Sequence, residues 1–183
     1  GTADRVREIV MQSSDGTQEF DVVSNPEFLR EGTAVKDFLN PDRVIVGTES
    51  ERAWAIVERI YRPDARAGRP IIQTDVKSAV IIKYASNSFL ATKISFINEI
   101  ANFCAIVGGN AKEVARGMGF DTRIGSRFLS AGIGYGGSCF PKDVKALIKT
   151  GHDYASEMTL LESVEVVNEK QKKILFNKFS EYY

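Results

Sequence analysis

The sequence predicts an α/β portion up to Thr74, followed by a mainly α-helical portion built on one long helix. In the first portion, short β-branched runs alternate with amphipathic segments, which is typical of an α/β sheet. From Val76 to about Val107 there is neither proline nor glycine, and apolar residues recur at helical spacing. Such a stretch predicts a single helix of unusual length for a globular protein.

The α/β portion has three helix signals. Thr2–Gln12 is amphipathic, Asn25-Pro26 opens a short helix that Gly32 ends, and Ser50 caps the next helix. Three short apolar runs read as strands, each closed by turn residues. They are residues 20–23, 43–46 and 71–73.

The helical portion is punctuated by glycines. Gly108-Gly109 is expected to stop the long helix, and Asn110 to cap the next one. A further helix is predicted from about Phe140 to Gly151, and one long amphipathic helix from Ser156 to Tyr182. These signals divide the chain into segments 1–74, 75–155 and 156–183.

Composition excludes several classes of function. The formal net charge is zero, so bulk electrostatics favours neither a nucleic acid nor an anionic membrane. No uninterrupted apolar run approaches the ~20 residues of a membrane helix. Cys104, Cys139 and His152 form neither a disulfide framework nor a zinc pattern, so no metal is expected and the reducing cytoplasm is the predicted compartment.

The segment Gly134–Asp143, GYGGSCFPKD, carries the strongest chemical signal. A side-chain-poor loop delivers Cys139 to the N-terminal end of a helix, where the helix dipole and unpaired N–H groups favour a thiolate. Lys142 adds positive charge and Asp143 opposes it. The alternative is a helix-capping turn with a small buried cysteine, since free cysteines are often buried.

Two further pairs lie four residues apart. Lys83 and Asn87 share one face of the long helix in apolar surroundings, where they could donate hydrogen bonds to a developing alkoxide. Glu27 and Glu31 follow a predicted strand end, a plausible place for acid–base chemistry. In the alternative interpretation, Lys83 reaches solvent, Asn87 is incidental and the two glutamates form a solvated helix face.

Taken together, residues 24–32 (SNPEFLREG), 83–87 (KYASN) and 134–143 resemble the UDP-glucose 6-dehydrogenase family of nucleotide-sugar dehydrogenases in order and spacing. Residues 123–129 and 134–137 look like the UDP-glucose branch. The resemblance implies that residues 1–74 are the tail of a Rossmann-like NAD domain and 75–155 a central catalytic and dimerisation domain. Residues 156–183 would be a helix leading toward a UDP-binding domain.

The resemblance also implies an activity. A primary alcohol would be oxidised to a carboxylate with two NAD molecules used in turn, through a thiohemiacetal and a thioester on Cys139. Lys83 would act as acid–base or oxyanion stabiliser, and Asn87 would hold the same oxygen. Asp143 would orient Lys83 and water, and Glu27 would assist hydrolysis.

By the same resemblance, Glu31 and Lys142 would lie near the cofactor, and Arg123 would reach the substrate from a neighbouring subunit. The other residues expected on the sugar nucleotide are Phe28, Leu29, Arg30, Phe128, Leu129, Ser130, Ala131, Gly132 and Gly136. A homodimer through the helix 76–107 is expected.

The sequence departs from the family pattern at its start, where no G-x-G-x-x-G occurs. The chain is therefore expected to be part of a longer protein and inactive alone. Two other hypotheses stay open: a sister enzyme acting on UDP-N-acetylhexosamine or GDP-mannose, and a non-catalytic dimerisation module.

Overall fold

A computed structural model describes residues 2–14 and 18–183. Residues 1 and 15–17, inside the first predicted segment, lie outside the described residues. The chain divides into two compact units, Gly1–Lys83 and Tyr84–Tyr183. The described elements are α1 Thr2–Ser13, α2 Ala34–Leu39, β1 Val44–Gly47, α3 Glu51–Arg66, β2 Ile71–Thr74, α4 Val76–Val107, α5 Ala111–Gly119, α6 Phe140–Asp153, α7 Thr159–Lys172 and α8 Ile174–Tyr182.

The first unit is a small α/β arrangement, as predicted. Strands β1 and β2 pair in parallel, with Val44 opposite Ile71, and all four residues of β1 are buried. An almost wholly apolar buried strand is typical of a parallel sheet. Helix α3 connects the two strands, and its first turn is capped by Ser50, whose side chain accepts a hydrogen bond from the N–H of Ala53.

The strand predicted at residues 20–23 does not form. Among the described residues, the next residue, Ser24, contacts the sheet through one antiparallel bridge with Gly47. Glu19 and Asp21 instead bind the guanidinium group of Arg52 at 2.9 and 2.8 Å. The segment is therefore held to α3 by ion pairs rather than by a ladder of backbone hydrogen bonds.

The helix predicted from Asn25 to Gly32 is also wrong. The Asn25 side chain cannot cap a helix, because it donates to the carbonyl of Ile45 at 2.8 Å and accepts from the Tyr61 hydroxyl at 2.6 Å. The helix of this region is α2, which follows Gly32 instead of ending at it. Gly32 has φ +84°, so it turns the chain into α2.

Helix α4 has the predicted bounds and continues from the first unit into the second. It ends as expected, because Gly108 takes φ +79° and the Gly109 N–H donates to the Cys104 carbonyl. Among the described residues, α4 is the helix that is long and apolar enough to cross a membrane, and core helices of soluble proteins can have the same length and composition. Its polar residues Ser95 and Asn98 are buried, at 2% and 0% exposure.

The core of the second unit lies where α4, α6 and α7 meet. Ala91, Tyr135, Val144 and Val164 form a buried cluster with Phe140 packed against it. The single helix predicted from Ser156 to Tyr182 is two helices, α7 and α8, with Lys173 between them. The apolar pattern continues across this break, so hydrophobic periodicity alone could not locate it.

Candidate functional site

Cys139 lies where it was predicted, at the N-terminal end of a helix. It is the N-cap residue of α6, it is half-buried, and its carbonyl accepts the first hydrogen bond of the helix from the Asp143 N–H at 2.9 Å. Pro141 stands in the first turn, a position where its missing N–H costs nothing. The remaining first-turn N–H groups give this end of α6 a partial positive charge.

Asp143 is the most buried charged group beside Cys139, with 1% of its side chain exposed. One carboxylate oxygen accepts a hydrogen bond from Asn87 Nδ2 at 2.6 Å, and the other lies 2.7 Å from Lys142 Nζ. Because an amide nitrogen carries two hydrogens, Asn87 keeps one donor for another acceptor. The Asp143 carboxylate also raises the pKa of Lys142 above its ordinary value.

The glycine-rich loop before Cys139 is held by buried side-chain amides that were not predicted from the sequence. Asn98 Oδ1 accepts from the N–H of Gly132 at 2.7 Å, and Gln171 Nε2 donates to the carbonyl of Gly132 at 2.6 Å. Asn168 does the same for Tyr135, accepting from its N–H at 2.8 Å and donating to its carbonyl at 3.1 Å. We call these three amides the loop clamp.

Three aromatic rings pack together beside the same loop. Phe140 makes edge-to-face contacts with both Phe128 and Tyr135, at centroid distances of 6.2 and 6.1 Å. Phe128 has φ +65°, an uncommon backbone conformation for a bulky residue that marks a locally strained turn. The Tyr135 hydroxyl donates to Glu165. The pKa of Tyr135 is raised well above its ordinary value, chiefly because the side chain is buried and secondly because of its hydrogen bond to the Glu165 carboxylate.

The other loop residues expected on the sugar nucleotide differ in exposure. Leu129 is buried, at 4%, and contributes to the core of the unit rather than to an open surface. Ser130, Ala131, Gly132 and Gly136 are exposed. Arg123 is 88% exposed, and its guanidinium group folds back onto Asp121, which lowers the pKa of that carboxyl.

In the first unit, Lys83 binds Glu27. Lys83 Nζ donates to the Glu27 carbonyl at 2.6 Å and to its carboxylate at 2.9 Å, and only 16% of the lysine side chain is exposed. The two predicted groups therefore form a partly buried acid–base pair. The lysine lies on α4, four residues before Asn87, and does not extend freely into solvent.

Phe28 lies beside the Lys83–Glu27 pair. The Arg43 guanidinium is 3.8 Å from the Phe28 ring centroid, and the Lys83 amine is 5.5 Å from it. Arg30 is held by Asp37, which is 7% exposed and accepts from both the backbone and the side chain of Arg30. Pro26, Glu27, Phe28, Leu29, Arg30 and Arg43 line a pocket of about 200 Å³. Glu31 is exposed in the following turn.

Backbone hydrogen bonds to β1 fix the start of this loop. Ser24 exchanges two backbone hydrogen bonds with Gly47, the last residue of β1, at 2.7 and 2.9 Å. Because this bridge is antiparallel, the loop that carries Glu27 and Glu31 starts beside Gly47 and runs back along β1 toward Arg43, which stacks on Phe28. Across residues 2–14 and 18–183, no three His, Cys, Asp or Glu side chains are grouped as metal ligands.

Two models of one protein family match most of the chain. The central-domain model of the UDP-glucose/GDP-mannose dehydrogenase family matches residues 77–170, and the NAD binding domain model of that family matches residues 1–64. The UDP-glucose 6-dehydrogenase TuaD of Bacillus subtilis (strain 168) is 50% identical over 178 residues, 97% of this chain and 38% of that protein.

Two more relatives show the same relationship. The UDP-glucose 6-dehydrogenase of Rhizobium meliloti (strain 1021) is 47% identical over 180 residues, 97% of this chain and 41% of that protein. A solved UDP-glucose dehydrogenase from Pyrobaculum islandicum superposes with a TM-score of 0.87 at 40% identity, covering 93% of this chain and 39% of that one. The chain thus spans about two fifths of the length of its relatives.

Proposed function

The chain belongs to the UDP-glucose/GDP-mannose dehydrogenase family, and from that premise we propose that it supplies the catalytic cysteine of an NAD-dependent UDP-glucose 6-dehydrogenase. The observation that carries the proposal is Cys139 at the N-terminus of α6, beside the buried Asp143–Asn87 pair. The 50% identity to a UDP-glucose 6-dehydrogenase favours UDP-glucose over other sugar nucleotides.

Cys139 acts as the nucleophile in the proposed reaction. NAD, when bound, accepts the hydride in each of the two oxidations. The Cys139 thiolate adds to the C6 aldehyde as a thiohemiacetal, and oxidation of that adduct leaves a thioester. Water then cleaves the thioester to the carboxylate and returns the free thiol. A thiolate suits both halves, since it is a good nucleophile and a good leaving group.

The polar groups have separate roles. Lys83 acts as the acid–base group or the oxyanion stabiliser at the oxygen of the primary alcohol, and Glu27, hydrogen-bonded to Lys83, assists hydrolysis. Asn87 donates its second amide hydrogen to the substrate oxygen. Asp143 holds the Asn87 amide in place and orients Lys83 and the hydrolytic water.

The binding residues follow the same proposal. Phe28, Leu29 and Arg30, which line the 200 Å³ pocket, contact the sugar nucleotide. Arg123 acts from the neighbouring subunit, and Glu31 and Lys142 lie near NAD. The loop part of the substrate site consists of the exposed Ser130, Ala131, Gly132 and Gly136 and the partly buried Phe128. Leu129, which is buried, supports them from the core. Free Cys104 and Cys139 suit the reducing cytoplasm.

We also propose that the protein is a homodimer through α4. Phe89, Phe96 and Phe103 recur every seven residues on α4, and 66%, 45% and 58% of each is exposed. Side chains seven residues apart lie on one face of a helix, so these rings form an apolar stripe suited to a second copy. Light scattering should report a dimer, and a Phe96→Glu variant should be monomeric. A wild-type monomer at tens of micromolar would contradict this arrangement.

The activity is tested with the complete protein and a panel of sugar nucleotides: UDP-glucose, UDP-N-acetylglucosamine and GDP-mannose. We expect two NADH and one carboxylate per UDP-glucose consumed, and much slower reaction with the other two. Preference for one of those substrates would move the protein to a sister enzyme. Hydride transfer from none of them would leave the non-catalytic dimerisation module.

A further inference from the structure

We propose that Asn168 is a positioning residue for the reaction, acting through the loop that carries Cys139. This inference rests on the proposed function and extends it to a residue of α7. Asn168 is 1% exposed, and its amide pairs with both backbone groups of Tyr135, as a neighbouring strand would. Asn98 and Gln171 hold Gly132 in the same way from α4 and α7.

The loop needs such support because its own residues restrict it little. Between Tyr135 and Cys139 stand Gly136, Gly137 and Ser138, and Gly137 has φ +77°. Two consecutive glycines give the chain wide backbone freedom. The position of the sulfur therefore depends on how firmly the two ends are fixed, by α6 after Cys139 and by Asn168 before it.

Gly134 shows how closely the loop fits the clamp. Its φ is +95°, and a Cβ atom built on it would lie 2.5 Å from Asn168 Oδ1. No side chain fits at this position without moving the amide. The adjacent Tyr135 is held by α7 a second time, since its hydroxyl donates to Glu165. Helix α7 therefore fixes Tyr135 through both its backbone and its side chain.

The chemistry explains why this matters for turnover. Nucleophilic attack needs the sulfur within about 3–3.5 Å of the aldehyde carbon, and a displacement of ~1 Å costs on the order of 10²-fold in rate. A loop released from Asn168 would let Cys139 sample positions outside that range. Formation of the acid should suffer most, because the first oxidation needs no bond to the sulfur.

The test uses the complete protein with Asn168→Leu, which removes both hydrogen bonds to Tyr135 at similar side-chain volume. The matched control is Ser95→Ala. This control deletes a buried hydrogen bond between α4 and α7, from Ser95 Oγ to the Val164 carbonyl at 3.2 Å, and that bond does not involve the cysteine loop. Gln171→Met, which releases the Gly132 carbonyl instead, is the second variant if Asn168→Leu does not fold.

Two quantities are measured besides the unfolding temperature: the rate of acid formation from UDP-glucose, and the alkylation rate of Cys139 by iodoacetamide, with buried Cys104 as internal reference. We expect the clamp variants to form acid about 10²-fold more slowly and to alkylate Cys139 several-fold faster. Ser95→Ala should stay within about twofold of wild type in both rates, since it leaves the loop untouched.

The outcomes separate the two proposals. Clamp variants that match Ser95→Ala in both rates at equal loss of unfolding temperature overturn the role of Asn168. If the wild-type protein does not oxidise UDP-glucose, the proposed function fails. The alkylation rates, which require no substrate, still decide whether Asn168 fixes the cysteine loop.

Discussion

Replacing Asp143 with alanine should destabilise the chain, because the buried side-chain amide of Asn87 would lose its hydrogen-bond acceptor. Asn87, 8% exposed, donates to Asp143 at 2.6 Å, and the truncated side chain offers no acceptor. A buried donor without its partner costs about 1–3 kcal/mol. The lost negative charge in the first turn of α6 adds about 0.3–1 kcal/mol. The ion pair with Lys142 adds little, because the lysine is 67% exposed.

The expected loss is therefore about 1–4 kcal/mol, measured by urea unfolding of the 183-residue chain. Two variants separate the contributions. Asp143→Asn keeps an acceptor for Asn87 and should cost about 1 kcal/mol, whereas Lys142→Ala should change the unfolding free energy by less than about 0.5 kcal/mol. Asp143→Ala and Lys142→Ala of equal stability would refute the reasoning, because the buried hydrogen bond would then contribute nothing.

Two further predictions concern the packing of Gly47 and the ion pair of Asp37. Gly47→Ala should destabilise the chain by about 1–3 kcal/mol in urea unfolding, because the new Cβ would lie 2.6 Å from the Ala79 Cβ. The control is Gly117→Ala in α5, which meets no atom within 4 Å and should stabilise the chain by about 0.5–1 kcal/mol, so equal effects of the two substitutions would contradict the packing argument. Asp37 has its pKa held well below the ordinary value, chiefly by hydrogen bonds from Arg30, so the stability it contributes is present above pH ~4 and is lost as the pH falls below that. The difference in unfolding free energy between wild type and Asp37→Asn should therefore shrink from pH 4 toward pH 2, and a difference independent of pH would be inconsistent with the ion pair.

The fold could be predicted wherever local signals agree. Helix α4 has its predicted bounds because no glycine or proline interrupts it and Gly108 supplies the left-handed turn at its end. The predictions fail where tertiary contacts override local preference. Asn25, a good capping residue by type, has its side chain occupied by Ile45 and Tyr61.

The loop clamp was missed for a related reason. Val164, Asn168 and Gln171 all lie on the buried face of α7, where an amide looks like an interruption of the apolar pattern. A polar residue at such a core position could have indicated a buried hydrogen-bonding role, because buried amides are almost always partnered. The partners, in the glycine-rich loop, could not be derived from spacing along one helix.

The same loop shows that a motif needs its structural context. Residues 132–137 read G-x-G-x-x-G, the spacing of a dinucleotide-binding turn. Yet the N–H groups of Gly132 and Tyr135 are already bound by Asn98 and Asn168. A pyrophosphate held by these two N–H groups would have to displace the amides of Asn98 and Asn168, so the spacing does not mark a dinucleotide-binding turn here.

The central claim, that Cys139 is the nucleophile, is tested most directly by acid formation in the complete protein. Cys139→Ser should lower the rate of acid formation from UDP-glucose by at least about 10³-fold, because the serine hydroxyl is scarcely ionised near neutral pH and no triad-type base is provided. Cys104→Ser, at the buried cysteine of α4, should keep the wild-type rate and lose only packing stability. Near wild-type acid formation by the Cys139→Ser protein would contradict the account.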